Sequence, residues 1–174
     1  MEAILRDLKK ILDAVSDRKT DQFLRLIVQA PRVFVYGLGR SGLVARMFGM
    51  RLVHLGRDAT IVGDTTTPAI RDKDLLVVCS RTGQSPFLHH AVHLARTVGA
   101  TVAAVTGERR TPLLKGAAFV VRLPVELAAG RRRQPMGSLF EQALLLYLDS
   151  VVLRLMSQLK KTPEDMESVH ANLP

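Results

Sequence analysis

Two short stretches rich in glycine and hydroxyl side chains each follow an apolar run. Residues 37–42 read Gly-Leu-Gly-Arg-Ser-Gly, and residues 80–85 read Ser-Arg-Thr-Gly-Gln-Ser. A turn that opens a helix offers backbone N–H groups to an anion. Hydroxyl groups add neutral donors, and here they come from Ser41, Ser80, Thr82 and Ser85. The two stretches predict a small phosphorylated ligand held between two loops.

The first stretch also matches the dinucleotide-binding fingerprint G-x-G-x-x-G. That fingerprint expects an acidic residue about 20 positions further on, whereas Asp64 lies 27 residues after Gly37. The fingerprint also leaves the second stretch unexplained. Serine and threonine often do no more than cap helices. Two such loops at strand ends nevertheless favour a phosphate over both alternatives.

Glu141 is a candidate general base, but its surroundings support two interpretations. Residues 138–141 read Ser-Leu-Phe-Glu, which is the S-x-x-E pattern of a helix capping box. A carboxylate beside apolar residues and near a ligand is also what a tuned base requires. His170, near the end of the chain, is either a tail histidine or a second catalytic group. The spacing leaves both questions open.

His89 and His93 have the i, i+4 spacing of a helical metal site. The apolar residues of that helix face inward, which places both histidines on its outer face. No acid or cysteine follows to complete a metal shell, so we expect solvent-facing histidines and no metal. The single cysteine, Cys79, ends an apolar run and is expected to be a buried core residue.

The apolar runs and turn residues also predict the elements that position these groups. Five apolar runs alternate with helical patterns, at residues 32–36, 59–63, 75–79, 101–106 and 118–123. The predicted fold class is therefore α/β, a doubly wound five-stranded parallel sheet flanked by helices in a flavodoxin-like arrangement. Both loops fall at the carboxyl ends of strands, where ligands bind in such sheets. We expect one domain over residues 1–174, with N-terminal helices in 1–30, the sheet core in 31–123 and C-terminal helices in 138–170.

The predicted helix over residues 138–160 is apolar on nearly all sides. A helix of this kind must be covered all round, and a sheet covers one side only, so we expect a second subunit on the other. The connection over residues 124–135 is irregular and ends rich in arginine. Long loops of this kind are often functional or mobile.

Composition narrows the class of protein and of ligand. Apolar residues make up 47% of the 174 positions and the net charge is +9. No run approaches the ~18 apolar residues of a membrane span, and no signal peptide is evident, so we expect a cytoplasmic protein that does not bind membranes. The basic residues are spread along the chain and aromatics reach only 5%, which argues against nucleic acid. The charge instead favours an anionic substrate.

The sequence resembles the sugar isomerase (SIS) domain family and, within it, the 6-phospho-3-hexuloisomerases. Four segments carry the resemblance, at Gly37–Gly42, Met50–Gly56, Pro135–Gln142 and His170–Leu173. The third is the most specific, and the resemblance extends over essentially the whole chain. It implies conversion of arabino-hex-3-ulose 6-phosphate to fructose 6-phosphate in formaldehyde fixation by the ribulose monophosphate pathway. It also implies that no cofactor is needed and that the protein is a homo-tetramer.

The resemblance implies roles for individual residues as well. Glu141 would accept the proton, and the phosphate would be held by Arg40, Ser41 and the loop of Ser80, Arg81, Thr82, Gly83, Gln84 and Ser85. The family loop usually reads Ser-Gly-Ser-Gly-Glu-Thr, so Arg81 here replaces a glycine and Gln84 a carboxylate. A positive φ at Arg81 would be costly; alternatively, its guanidinium adds a phosphate contact.

The chemistry that the resemblance implies needs few groups. Moving the carbonyl from C3 to C2 takes one base that removes the C2 proton and returns a proton to C3 through an enediolate. A donor is also needed for the oxyanion, and the candidates are His170, His54 and Arg40. The alternatives are a sugar-phosphate sensor, another SIS phosphosugar isomerase and a nicotinamide enzyme. A sensor usually has a DNA-binding helix pair before the domain, and the first 30 residues hold no such recognition helix.

Overall fold

Five parallel strands form the central sheet in the computed structural model, which describes residues 1–128 and 134–172. The strands are β1 (Val33–Gly37), β2 (Ala59–Ile61), β3 (Leu75–Ser80), β4 (Thr101–Thr106) and β5 (Phe119–Arg122). Their order across the sheet is β2-β1-β3-β4-β5, with every pair parallel. The predicted fold class, a doubly wound five-stranded parallel α/β sheet, is confirmed.

Helices cover both faces of this sheet. They are α1 (Glu2–Asp13), α2 (Asp17–Gln29), α3 (Gly39–His54), α4 (Pro86–Thr97), α5 (Pro112–Gly116), α6 (Ser138–Leu159) and α7 (Pro163–Ser168). One face packs against α1, α2, α3 and α6 around a large apolar core. The other packs against α4 and α5. Since α3 and α4 lie on opposite faces, the crevice for a ligand opens between the carboxyl ends of β1 and β3.

Strand β3 is the centre of the sheet and is buried on both faces, as its unbroken apolar sequence predicts. Cys79 lies in it, opposite Gly37 of β1, and is fully buried. Burial raises the pKa of this thiol to about 12, so the thiol stays protonated at neutral pH. The expectation of a buried core cysteine is confirmed.

Helix α6 is covered within the chain more completely than its sequence predicts. Helices α1, α2 and α3 all pack against it, and nine of its side chains are buried, including Leu144, Leu148 and Val151. Leu146 and Leu153 remain exposed. The premise that only the sheet covers this helix is therefore wrong, because the N-terminal helices and α3 share the task.

The exposed apolar row lies on α3 instead. Its members are Leu43, Met47, Met50 and Val53, each at least 46% exposed. Among the described residues, no helix is long and apolar enough to cross a membrane. Two segments named in the sequence analysis lie partly outside the described residues: the irregular connection, at 129–133, and the last segment of the resemblance, at Leu173.

Candidate active site

The first glycine-rich turn joins β1 to α3 and is shaped by close packing. Gly39 has φ +55°, which favours glycine. A Cβ on Gly42 would lie 2.5 Å from the carbonyl oxygen of Gly37, so the helix approaches the strand at a distance that only glycine permits. The glycines of this motif are thus explained by the backbone alone. Arg40 and Ser41 occupy the first turn of α3, which no side chain caps.

The second loop, residues 80–85, is held by its main-chain carbonyls. The carbonyl of Arg81 accepts from Gly107 N at 3.1 Å and from Thr106 Oγ1 at 3.2 Å. Gly83 N donates to Ser80 Oγ at 3.0 Å. The first two bonds direct the Arg81 carbonyl toward the end of β4.

The carbonyl of Gly83 accepts from two side chains that the sequence did not assign to the loop. Thr111 Oγ1 donates to it at 2.9 Å, and His89 Nε2 lies 2.7 Å away. The prediction that His89 only faces solvent is therefore wrong, whereas His93 is exposed as predicted. Helical side chains tilt toward the helix N-terminus, and His89 lies only one turn after the start of α4. A contact between His89 and the preceding loop is therefore compatible with the sequence. Gly83 itself has φ +60°, and a Cβ there would lie 2.5 Å from Thr111 Oγ1.

Helix α4 begins directly after this loop, and the backbone N–H groups of its first turn have no side-chain partner. Ser85 is its N-cap residue, but no side chain accepts from the first turn, and Pro86 follows. Since the first N–H groups of a helix have no partner within it, those of α4 remain for an anion at the loop. The loop hydroxyls of Ser80, Thr82 and Ser85 are half-buried, and Gln84 is exposed.

Glu141 does not cap α6. The N-cap residue is Gly137, and Ser138 lies inside the helix, where its hydroxyl donates to Pro135 O at 2.9 Å. The capping-box interpretation is wrong because the helix begins one residue earlier than that pattern requires. The Glu141 carboxylate, only 12% exposed, instead accepts from Arg40 Nε. The structure thus joins the candidate base to the first loop.

Arg81 brings the second loop to the same place. Among described residues other than glycine, positive φ occurs only at Lys73, Met136 and Lys160, so Arg81 adopts ordinary backbone angles and the strain considered for it does not arise. Its Nε lies 3.5 Å from the position that a Cβ on Gly137 would take. Glu141 Oε1 lies 3.1 Å from that same position.

His54 and His170 form a separate cluster with ring centroids 5.3 Å apart. They line a groove of about 520 Å³ between α3, α6 and α7, which Val152 and Met156 also line. Burial, then the charge of Arg51 and then His170, lower the pKa of His54 below its usual value of 6.5.

The two clusters are far apart within one chain. His54 ends α3, 14 residues after Arg40, which corresponds to about 21 Å of helix. Val152 follows Glu141 by 11 residues on α6, which is about 16 Å. The structure therefore joins Arg40, Glu141 and the two loops and leaves both histidines elsewhere. No three His, Cys, Asp or Glu side chains in the described part of the chain converge as metal ligands.

Comparison with known proteins gives matches over nearly the whole chain. Residues 26–148 match the family model of the SIS domain. A protein of Bacillus subtilis named 3-hexulose-6-phosphate isomerase is 38% identical, with 98% of this chain and 95% of the other covered. One of the same name from Mycobacterium gastri is 39% identical, with 98% and 91% covered. A hypothetical protein of Methanococcus jannaschii, whose crystal structure infers a molecular function of 3-hexulose-6-phosphate isomerase, has a TM-score of 0.91 at 29% identity, with 99% and 98% covered.

Proposed function

The chain belongs to the SIS domain family, and from this premise we propose that it is a 3-hexulose-6-phosphate isomerase. It interconverts arabino-hex-3-ulose 6-phosphate and fructose 6-phosphate. The observation that carries the proposal is the placement of Glu141. Its carboxylate does not cap α6 and is largely shielded from solvent. It lies at the carboxyl end of the sheet, between two loops that each carry an arginine.

The reaction follows from one base and one oxyanion donor. Glu141 takes the C2 proton, and the electrons of the broken C–H bond form the C2=C3 bond as the C3 carbonyl oxygen gains negative charge. The resulting carboxylic acid then delivers a proton to C3, and the proton of the C2 hydroxyl passes to the oxygen on C3. The carbonyl has moved to C2 and no electron has left the sugar, so no oxidant or reductant takes part.

We assign the phosphate to the second loop. The hydroxyls of Ser80, Thr82 and Ser85 and the uncapped start of α4 supply neutral donors there. The carbonyls of Arg81 and Gly83, which would repel a phosphate, accept hydrogen bonds from Gly107, Thr106, Thr111 and His89. Ser41 lies in the first turn of α3, at the loop on the other side of the crevice.

We further propose that the protein is a cytoplasmic homo-tetramer of the ribulose monophosphate pathway. Two features support an oligomer. The apolar row on α3 is exposed in a single copy, and the groove of His54 and His170 lies about 16 Å along α6 from Glu141, measured to Val152. At that separation the histidines reach a base only in a neighbouring copy.

A coupled assay tests the activity. The 3-hexulose phosphate is supplied, and fructose 6-phosphate is detected through added auxiliary enzymes, after the protein has been treated with EDTA and the chelator removed. We expect turnover at the same rate as in untreated protein, because the proposed proton transfer uses only side chains. Absence of product from folded protein would refute the proposed substrate, and activity that returns only with added divalent metal would refute the metal-free mechanism.

A further inference from the structure

Arg81 lies in a slot made by two glycines. Its Cγ is 3.3 Å from the position that a Cβ on Gly107 would take, and its Cδ is 3.6 Å from the corresponding position on Gly137. A Cβ on Gly107 would press on the arginine, whereas one on Gly137 would lie at ordinary contact distance from it. The aliphatic part of Arg81 passes between the end of β4 and the start of α6.

Arg81 has contacts at both its backbone and its guanidinium. Its carbonyl accepts from Gly107 N and Thr106 Oγ1, and its Nη1 lies 3.7 Å from Glu108 Oε1. The guanidinium carries five N–H donors, so a single ion pair at this distance leaves others for a ligand. The side chain is 41% exposed and therefore reaches space that a ligand can enter.

The direction of Arg81 separates it from the hydroxyls of its own loop. Those hydroxyls accompany the start of α4, whereas Arg81 extends the other way, toward Gly137 and the Oε1 atom of Glu141. The other arginine beside this carboxylate, Arg40, is already bound to its Oε2 atom. Arg81 is thus a second cation beside the base, on the side of its Oε1 atom.

We propose, on the basis of the proposed function, that Arg81 donates to the C3 carbonyl oxygen of the substrate and to the enediolate oxygen that forms from it. The guanidinium then stabilises the charge that develops as Glu141 removes the C2 proton. Arg81 is thus a hydrogen-bond donor close to Glu141 of the same copy, whereas His54 and His170 of that copy lie in a separate groove. Arg81 is accordingly a residue of the chemical step rather than of phosphate binding.

The two roles predict different kinetics. A donor to developing charge acts mainly in the transition state, so its loss lowers kcat. A phosphate contact binds substrate and transition state alike, so its loss raises KM. For Arg81→Met, which keeps the aliphatic part in its slot, we expect kcat to fall about 10²-fold. KM and the inhibition constant of inorganic phosphate should both stay within about threefold of wild type.

Two further variants make the test specific. Arg81→Lys keeps one positive charge but loses the fork of donors, so we expect its kcat to lie between those of wild type and the Met variant. Arg71→Met removes an exposed arginine that precedes β3, at the opposite end of the sheet, and should leave both kinetic constants unchanged. Melting temperature and mass are measured for every variant.

Each outcome decides the question. An Arg81→Met protein with a raised KM, weaker inhibition by phosphate and normal kcat would make Arg81 a phosphate ligand and overturn the inference. A variant with all constants normal would also overturn it and leave the role to Arg40. Wild-type protein that fails to turn over this sugar would refute the proposed function and the inference together, whereas an active wild type beside an unimpaired Met variant refutes the inference alone.

Discussion

Replacing Glu141 by glutamine separates its chemical role from its structural one. Glutamine keeps the shape of the side chain and an oxygen that accepts from Arg40, but it cannot take a proton. The structure gives the expected cost in stability. Glu141 has no capping bond to lose, and the arginine with which it pairs is 64% exposed.

An ion pair with so exposed a partner contributes about 0–1 kcal/mol. In a domain of this size, 1 kcal/mol corresponds to a change in melting temperature of about 2–4 °C. We therefore expect Glu141→Gln to melt within a few degrees of wild type. Loss of a general base should at the same time lower kcat by about 10²–10⁴-fold. The effect on catalysis should thus far exceed the effect on folding.

The measurement needs kcat, melting temperature and oligomer mass on one preparation. Asp21→Asn is the matched control, because Asp21 is also a carboxylate bound to an arginine, Arg154 at 2.7 Å, and lies on α2. Its kcat should equal that of wild type. A folded Glu141→Gln protein with near-normal kcat would remove Glu141 from the mechanism and direct the search for the base to His170. A large fall in melting temperature would instead contradict the helix start described for α6.

Alanine in place of Ser80, Thr82 or Ser85 should raise KM more than it lowers kcat. An unchanged KM in all three variants would place the phosphate elsewhere. The lowered pKa of His54 means that this side chain binds a proton more readily in the unfolded chain than in the folded one. The contribution of His54 to the free energy of unfolding is therefore complete above about pH 6.5, and it is lost as the pH falls toward the lower pKa of the folded state. Melting curves of His54→Gln should accordingly lose less stability than wild type between about pH 7 and pH 5, and parallel losses would refute this contribution. Met47→Glu, in the exposed row of α3, should reduce the mass measured by light scattering, whereas Leu5→Glu on α1 should not; a monomeric wild type at micromolar concentration would refute the oligomer.

Much of the fold follows from local sequence. Each strand overlaps its predicted apolar run, although β2 (Ala59–Ile61) covers only three of the five residues predicted for it. Glycine or proline marks most of the turns. Parallel pairing predicts that both loops lie at the same edge of the sheet, and the neighbouring positions of β1 and β3 then place them side by side. The start of α6 could not be settled in this way, because Ser138 is compatible with both a cap and a first helical position, and only the turn at Gly137 decides between them.

The arrangement of the side chains at the site could not be predicted from local sequence, because it depends on tertiary packing. Nothing in the local sequence of Thr111 points to a carbonyl 28 residues earlier, since the contact depends on how α5 packs beside the loop. The separation of His54 from Glu141 depends on the lengths of α3 and α6 and on which of their ends meet. Arg81 gave no sign of its direction, because Gly107 and Gly137 form its slot only after folding.

The four hydrogen bonds that hold the carbonyls of Arg81 and Gly83 have a consequence for the thermodynamics of binding. They fix the shape of the loop before any phosphate arrives, so the loop is preorganised. Ordering a flexible side chain on binding costs about 0.5–1.5 kcal/mol, and a loop that is already ordered avoids much of this loss of entropy. The phosphate binding that we propose for this loop would accordingly resemble the association of two rigid bodies, with little free energy spent on ordering the loop.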